Sequence, residues 1–301
     1  MNITDLKKKI EEANKAYRSG NPIITDFEYD ALVDELAEIN PHDDLLLQIG
    51  GVVPTDNRKE KLPYEMASMN KVKSMDEIRA WMKSKGIQND HVLCLTPKYD
   101  GNALQADEVR MRAWTRGNGI EGQRSDAHFS YLITNVNLKK LITFGEVIVS
   151  RTNWERWAGE YSNARNMVAG LLNNKTPKEI ALVDCDYIRY GIAGSTDDKN
   201  IQIDTCNNTV NQVKVPYVLT TAPQLSDDYL HNLYTLWKKD YEIDGIIIEV
   251  NNGELRSVIG TETNGNPAYA RAYKGNFEEV KQTTIVDINW AVSKKGLVKP
   301  V

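Results

Sequence analysis

The sequence predicts an α+β fold, in which a small helical unit precedes a domain built mainly on antiparallel sheets with flanking helices. The first 40 residues are charged and carry apolar positions spaced by three or four, which is typical of helices. From about residue 91 the chain changes to short runs rich in Val, Ile and Tyr, which are typical of strands. Helical stretches lie between these runs without strict alternation, so the pattern does not favour a parallel sheet.

The composition is that of a globular protein with one large or two modest domains. The chain has 301 residues, of which 41% are hydrophobic and 26% charged, and its first residues do not resemble a signal peptide. No apolar run reaches the roughly 18 residues of a membrane span. The three widely spaced cysteines include no C-x-x-C pair, so we expect a reducing, cytoplasmic setting without a zinc ribbon or disulfide framework. A net charge of −5 argues against nonspecific coating of nucleic acid but allows a local basic surface.

Two helices are predicted in the N-terminal unit. The first covers residues 3–18 and places four residues on one side: Leu6, Ile10, Ala13 and Tyr17. In the second, Asp26 and Asp30 share a side, with Tyr29 beside them. From the residues alone, this face is interpreted as a packing tyrosine and two solvated carboxylates near a helix N-terminus.

The remaining elements follow from periodicity and turn residues. Residues 41–75 predict an irregular linker, after which Ser74 is a candidate N-cap for a helix. Strands are predicted in HVLCLTPKYD, NALQADEVRMRAWTR, KLITFGEVIVSR, CDYIRYGIAG and EIDGIIIEVN. Further helices are predicted in NWERWAGEYSNARNMVAGLLNN and SDDYLHNLYTLWKKD.

The segment LTPKYDGNAL contains a lysine and a carboxylate that an apolar strand does not explain. In an extended chain Lys98 and Asp100 point to the same side, and Gly101 allows a sharp turn after them. Two interpretations stay open on this segment alone. One is an ion pair on an edge strand, and the other is a nucleophilic lysine in a phosphate pocket.

Five charged residues in all lie at the ends or boundaries of predicted strands: Lys98, Arg116, Glu146, Asp244 and Lys274. A charge in a cleft is tolerated when it is paired or functional, and one cleft could hold all five. A lysine nucleophile needs neighbouring cations or desolvation to lose its proton, and attack on a phosphate needs cations beside the oxyanions. The set therefore suits phosphoryl chemistry.

The ordered motifs K-Y-D-G, T-R-G-N-G, G-E-V, Y-G, D-G-I-I-I and A-Y-K resemble those of the covalent nucleotidyltransferases, which include DNA ligases, RNA ligases and capping enzymes. NPIITDFEYDALVDEL is similar to the N-terminal domain of NAD-dependent bacterial-type DNA ligases. TRGNGIEG and YSNARNMVAGLLNN resemble two further motifs of that family, and VDINWAVSKKGLVKPV is similar to its entry into an OB-fold. The resemblance covers nearly the whole chain.

The resemblance implies a role for each matching residue. Lys98 would attack the α-phosphate of NAD to form lysyl-AMP, and Asp100 would help to set its charge and position. Arg116 and Glu146 would contact the ribose of AMP, and Tyr190 would stack on adenine. The other residues expected around the nucleotide are Ser68, Met69, Thr96, Arg165, Asp244 and Lys274, with Lys274 against the α-phosphate.

The resemblance also implies the domain boundaries and the partners. It predicts a nicotinamide mononucleotide-binding domain with its linker over residues 1–65, an adenylation domain over 66–285 and the beginning of an OB-fold over 286–301. Four residues of the first domain would grip the nicotinamide half of NAD: Tyr17, Asp26, Tyr29 and Asp30. Nicked DNA is the expected substrate and Mg2+ the expected metal, although no ligand cluster in the sequence places it.

The sequence departs from the family pattern at several positions. Thr96 stands where glutamate is usual, Glu249 where lysine is usual, and Asn173 where arginine is usual. Ala16 and Tyr17 stand in place of a tyrosine–histidine pair. The change at Glu249 replaces +1 by −1 near the phosphates, which we expect to matter by several kcal/mol at an effective dielectric of about 20. These departures bear on NAD affinity and leave the nucleophile in place.

Three other interpretations are compatible with the residues. The chain could use ATP, although the N-terminal unit favours NAD. It could be a degenerate, non-catalytic subunit of a split ligase, as Thr96 and Glu249 would suggest. The OB-fold, zinc and helix–hairpin–helix parts of the family do not follow in this sequence. We therefore expect either the adenylation portion of a longer ligase or one half of a split ligase, as in some phages, whose partner is a second chain.

Overall fold

The computed structural model describes residues 3–18, 23–24, 26–40, 43, 45, 59–133, 141–208, 213–275, 277, 290–292 and 298–300. The described helices are α1 Ile3–Arg18, α2 Asp26–Ile39, α3 Met75–Ser84, α4 Asp126–Leu132, α5 Arg151–Trp154, α6 Ala164–Asn173, α7 Glu179–Leu182, α8 Lys199–Asn207, α9 Asp227–Trp237 and α10 Gly253–Ile259, with a 3-10 turn at Ala222–Gln224. The described strands are β1 Lys59–Lys61, β2 Lys71–Val72, β3 Leu93–Tyr99, β4 Asn102–Asp107, β5 Arg112–Thr115, β6 Glu121–Gln123, β7 Ile142–Val149, β8 Cys185–Ile192, β9 Val218–Thr220, β10 Ile243–Val250, β11 Ala270–Tyr273, β12 Trp290–Val292 and β13 Val298–Pro300. No helix among these residues is long and apolar enough to cross a membrane.

The N-terminal helices α1 and α2 form a unit with its own small core. Its buried residues are Leu6, Ile10, Leu36 and Leu45, against which Tyr29 packs. The ammonium of Lys7 lies 2.8 Å from the buried carboxylate of Asp43, which ties the end of the unit to its first helix. The apolar spacing predicted for residues 3–18 is therefore confirmed at Leu6 and Ile10.

Two mainly antiparallel sheets form the larger part of the fold. The five-stranded sheet has the order β2-β11-β10-β3-β9, and only the β2–β11 pair is parallel. The four-stranded sheet has the order β5-β4-β7-β8 and is antiparallel throughout. The α+β fold class predicted from the sequence is confirmed.

Each sheet has a core on the side covered by helices. Helices α3 and α9 pack against the five-stranded sheet through Ile78, Trp81, Leu230 and Leu233, as their apolar spacing predicts. The four-stranded sheet packs on α6, whose Met167 and other apolar residues are buried. Ile148 and Ile188 belong to the core of the five-stranded sheet although they lie on strands of the other one, so the two sheets also pack face to face.

Three segments differ from the sequence prediction. The linker contains the short strands β1 and β2, which are too short to show any period of their own. The stretch predicted as one strand over 102–116 is a hairpin, because Met111 adopts a left-handed φ of 51° at its turn. The helix predicted after residue 152 is broken into α5 and α6, since Asn163 caps a new helix by accepting from the Asn166 backbone N–H at 2.7 Å.

Candidate active site

Two lysines of the five-stranded sheet region, Lys98 and Lys274, pair with the same carboxylate, that of Asp244. Lys98 Nζ lies 2.8 Å from Asp244 Oδ1, and Lys274 Nζ lies 2.8 Å from Asp244 Oδ2. Lys98 is the penultimate residue of β3 and faces Gly245 of β10, while Lys274 follows β11 directly. The pairing register shifts between Ile243 and Gly245, and Asp244 lies at that irregularity. Such shifts re-aim a side chain beside a site.

Asp244 carries a negative charge at this point despite its partial burial. Desolvation opposes ionisation, but the ammonium groups of Lys98 and Lys274 outweigh it and hold the pKa of the Asp244 carboxyl below its ordinary value. The arrangement is therefore two cations on one anion, with a net positive charge of one. A phosphate group would be attracted to this place.

Asp100 does not pair with Lys98. Its carboxylate accepts from Arg165 Nη1 at 2.5 Å, and its backbone N–H donates to the Glu242 carbonyl. The edge-strand ion pair that the sequence left open is thus replaced by two separate pairs. Arg165 is held at the start of α6, where its own carbonyl accepts from the Asn102 side chain at 3.3 Å.

Glu146 lies on β7 beside these cations. Desolvation raises the pKa of its carboxyl to about 7, although the positive charges of Lys98, Arg165 and Arg116 act in the opposite direction. Gly101 lies in close contact with this part of β7. A Cβ on Gly101 would lie 2.2 Å from the Val147 carbonyl oxygen and 3.0 Å from Glu146 Cγ. A side chain at residue 101 would therefore push the nucleophile strand away from Glu146.

Arg116 is placed by a tight turn. Its backbone N–H donates to the Ala103 carbonyl, and the following Gly117 and Gly119 both have left-handed φ angles, of 54° and 91°. The asparagine between them accepts from the backbone N–H of Glu121 at 2.7 Å, which closes the turn. The glycines of T-R-G-N-G are thus explained by backbone geometry.

Tyr190 occupies an irregular position on β8. Gly145 faces Arg189 and Phe144 faces Gly191, so Tyr190 is an extra residue in the strand. Its ring packs against the core of the five-stranded sheet. Burial raises the pKa of its hydroxyl well above the ordinary value, and the Glu146 carboxylate adds to this effect.

Residues 56–278 match the model of the family described as the NAD-dependent DNA ligase adenylation domain. The chain belongs to this family. The resemblance inferred from the motifs is therefore confirmed. The identification places the chain among the nucleotidyltransferases of DNA ligases.

Several curated DNA ligases are similar to this adenylation-domain chain. It is 29% identical to a DNA ligase of Acanthamoeba polyphaga mimivirus, over 100% of this chain and 47% of that protein. It is 30% identical to a DNA ligase of Acholeplasma laidlawii, over 99% of this chain and 49% of that protein. A DNA ligase of Desulfotalea psychrophila is 28% identical over 99% and 43%. The chain thus spans about half the length of these relatives.

A chain from a structure–function study of Lig E DNA ligases has a TM-score of 0.44 and 13% sequence identity to this adenylation-domain chain, and 69% of each chain is covered.

Within the adenylation domain, the structure brings most of the predicted residues to one region. Lys98, Asp244 and Lys274 are in contact, and Asp100 pairs with Arg165. Thr96 is buried on the same strand as Lys98, two residues before it. Ser68 and Met69 lie in the extended segment that leads into β2.

The predicted nicotinamide grip is described only in part. Tyr29 lies on α2, where its ring is partly buried against the small N-terminal core. The side chains of Tyr17, Asp26 and Asp30 lie outside the described residues, so their predicted role stays a prediction. The boundaries proposed at residues 65 and 285 also stay predictions.

Sequence reasoning missed two cations around Glu249. Arg256 Nη1 donates to Glu249 Oε1 at 2.7 Å, and Lys199 Nζ lies 3.2 Å from Glu249 Oε2. The expected change of +1 to −1 is therefore offset locally, since one carboxylate meets two cations. Arg256 lies only seven positions after Glu249, on the next helix, and this short separation was the signal that could have identified it. No local signal marked Lys199, which comes from a different part of the chain.

The described residues contain no group of three or more His, Cys, Asp or Glu side chains placed to hold a metal ion. Mg2+ usually keeps several waters and binds through one or two carboxylates together with substrate phosphates. Such a site needs no preformed protein cluster.

Proposed function

We propose that this chain is the self-adenylating portion of an NAD-dependent DNA ligase. Lys98 Nζ first gives one proton of its ammonium to solvent, then attacks the α-phosphate of NAD as the amine and forms a P–N bond, with release of a second proton to solvent. The bond from that phosphorus to the bridging oxygen breaks, and nicotinamide mononucleotide leaves with the electron pair. The AMP on Lys98 then passes to the 5′-phosphate of nicked DNA, and the 3′-hydroxyl displaces AMP to seal the strand.

The carboxylate shared by Lys98 and Lys274 is the observation that supports this proposal. An incoming α-phosphate can replace Asp244 as the partner of Lys274, so that a cation already in place neutralises the charge developing on the phosphate oxygens. Asp244 holds both lysines at the same point until the substrate arrives.

The other residues of the region take supporting roles in this proposal. Arg165 and Arg116 supply positive charge around the phosphate and ribose, and Tyr190 stacks on adenine. Asp100 fixes Arg165 by its ion pair. Tyr17, Asp26, Tyr29 and Asp30 hold the nicotinamide half. Mg2+ would reduce the charge of the phosphates when it is bound.

NAD, not ATP, is the proposed adenylate donor because the matched family is NAD-dependent. The resemblance of the segment around α2 to a nicotinamide mononucleotide-binding domain supports the same choice. A degenerate, non-catalytic subunit is disfavoured by the retained contacts among Lys98, Asp244 and Lys274. Nicked DNA is the proposed substrate, and the remaining part of a ligase or a second chain the proposed partner.

The deciding experiment is intact-mass measurement after incubation with NAD and Mg2+, and separately with ATP and Mg2+. We expect a gain of one AMP with NAD, and no gain in Lys98→Ala. Lys85→Ala is the matched control, because Lys85 also pairs with a carboxylate, that of Glu262, but lies at the C-cap of helix α3. A gain from ATP alone would identify an ATP-dependent enzyme, and labelling of Lys98→Ala would show that another residue is the nucleophile.

A further inference from the structure

A buried charge cluster lies on β10, beyond the residues assigned to phosphate chemistry. It consists of Glu249, Arg256 and Lys199, whose side chains are only 5%, 9% and 12% exposed. Buried charges are tolerated when they are paired and hydrogen-bonded, and each cation here meets one oxygen of the same carboxylate. The cluster is therefore an organised feature of the fold.

The strand register places this cluster on the same sheet face as the nucleophile. Lys98 faces Gly245, Thr96 faces Ile247 and Cys94 faces Glu249. Opposed residues share a face, as do alternate residues along each strand. Glu249 lies four residues beyond Gly245, which corresponds to about 13 Å at the rise of a β-strand. This separation suits a mononucleotide whose phosphate is at Lys98 and whose base lies further along the strands.

Strand β8 of the four-stranded sheet also approaches the Lys199 ammonium. A Cβ on Gly191 would lie 3.6 Å from Lys199 Nζ and 3.8 Å from Phe144 Cδ2. Gly191 follows Tyr190, the proposed adenine-stacking residue, and is paired with Phe144 of strand β7. The ammonium of Lys199 thus lies beside the proposed base position, where a glycine leaves room.

The cluster is held by backbone contacts on both sides. The Lys199 backbone N–H donates to the Asn251 carbonyl at 2.9 Å, and the Asn200 backbone N–H donates to Asn251 Oδ1 at 3.0 Å. Arg256 also donates to the carbonyl of Asp197. The start of α8 is therefore fixed to the loop after β10, which restricts where the Lys199 side chain can go.

The Lys199 ammonium retains donors for a ligand. Among the residues that the structure describes, Glu249 is its only carboxylate partner within ion-pair distance. An ammonium carries three N–H donors, so it can donate to a ligand in addition to Glu249. A donor beside a carboxylate acceptor complements the edge of adenine, where the N1 acceptor lies next to the 6-amino donor.

We propose that Lys199, positioned by Glu249 and Arg256, recognises the adenine edge of the nucleotide and determines base specificity. The ammonium donates to a ring nitrogen of the base, and the Glu249 carboxylate accepts from the amino group. This inference rests on the proposed function, because it takes NAD as the nucleotide. It assigns the base-end contacts to a residue from α8.

The same sheet contains a matched control cluster on its opposite face. Glu262 pairs with Lys85 at 2.7 Å and with Arg271 at 2.6 Å. Arg271 faces Ile248 across the strands, and Ile248 points away from the face of Glu249 because neighbouring residues alternate. Lys85→Met therefore removes an ammonium from a Lys–Glu–Arg cluster without touching the nucleotide face.

The test compares the native protein, Lys199→Met and Lys85→Met in single-turnover formation of covalent AMP, with NAD and with nicotinamide hypoxanthine dinucleotide as donors. For Lys199→Met we expect the NAD concentration at half-maximal rate to rise about tenfold, equivalent to about 1.4 kcal/mol. The maximal rate should change by less than about threefold, because a base contact is made equally before and during reaction. The preference for NAD over the hypoxanthine analogue should fall by a similar factor of about ten.

Lys85→Met should leave half-saturation and base preference at native values, and Lys199→Arg should recover part of the loss. Native half-saturation and native preference in Lys199→Met would overturn the inference, as would equal losses in both Met variants. If Lys199→Met does not fold, Lys199→Gln is measured in the same way. If the native protein forms no covalent AMP, the proposed function fails, and calorimetric affinity for NAD in the native protein and Lys199→Met still decides the role of Lys199.

Discussion

Lys98 and Asp244 form an ion pair of 2.8 Å although they are 146 positions apart in the sequence. The pair joins the end of β3 to the start of β10, and Lys274 completes it from the other side of the same carboxylate. The position of the proposed nucleophile therefore depends on a residue that the strand pairing brings to it. Asp100, its neighbour in sequence, has a different partner.

Asp244→Asn tests this dependence. The amide cannot hold two ammonium groups, so Lys98 and Lys274 are expected to separate and the proposed attack geometry to be lost. We expect covalent AMP formation to fall about 100-fold, as misplacement by about 1 Å can cause. Single-turnover labelling with NAD measures this. Glu242→Gln is the control, since Glu242 directly precedes strand β10 but pairs with Arg151. Equal losses in the two variants would contradict a specific role for Asp244.

The ion pair between Asp100 and Arg165 predicts a non-additive double mutant. Each of Asp100→Asn and Arg165→Gln should lower the labelling rate about tenfold, because each releases the other partner. The double variant should be no slower than the slower single variant, giving a coupling of about 1 kcal/mol or more. Arg156→Gln, which removes the partner of Asp184 instead, should label at the native rate. Additive losses would show that the two residues act separately.

The ordered motifs of the sequence singled out Lys98, Asp244 and Lys274, and the structure brings these three side chains into contact. The sequence did not predict their pairing. Lys98 and Asp100 satisfy the i, i+2 rule for a shared face, but β3 ends at Tyr99, so the rule no longer applies at Asp100. The carboxylate nearest to Lys98 comes instead from β10, and only the sheet register shows this.

The fold class was also predictable, since it depends on apolar periodicity over long segments. Short elements were not. Strand β2 has two residues, and its one partner among the described strands is β11. Its formation therefore depends on the sheet edge and not on its own sequence. The two cations around Glu249 were missed for the same reason, because Lys199 reaches it from a helix 50 positions earlier in the printed sequence. Tertiary contacts of this kind have no local pattern.

Glu146→Gln tests the carboxyl whose pKa is raised to about 7. A carboxyl with a higher pKa in the folded state binds its proton more tightly there than in the unfolded chain. Its contribution to stability is therefore present at acidic pH and is lost as the pH rises from its unfolded pKa of about 4.5 through about 7. The glutamine side chain does not titrate, so the variant does not lose stability in this way as the pH rises.

We expect the thermal midpoint of Glu146→Gln to increase relative to the native protein between pH 5 and pH 8, approximate bounds that bracket the two pKa values. Parallel scanning of both proteins measures the difference, in which the titration of all other groups cancels. A constant difference across this range would show that the Glu146 pKa is not raised.

Glu249→Lys, which introduces the residue usual in the family, is predicted to damage this protein. Three cations would then meet in a buried place without a carboxylate, and breaking a buried ion pair costs about 3–5 kcal/mol. The thermal midpoint and the labelling rate should both fall. Glu249→Gln should be less harmful, because it adds no charge. The exchange Glu249→Lys with Lys199→Glu restores opposite charges and should recover much of the stability. Native stability and labelling in Glu249→Lys would contradict a structural role for the ion pairs of Glu249 with Arg256 and Lys199.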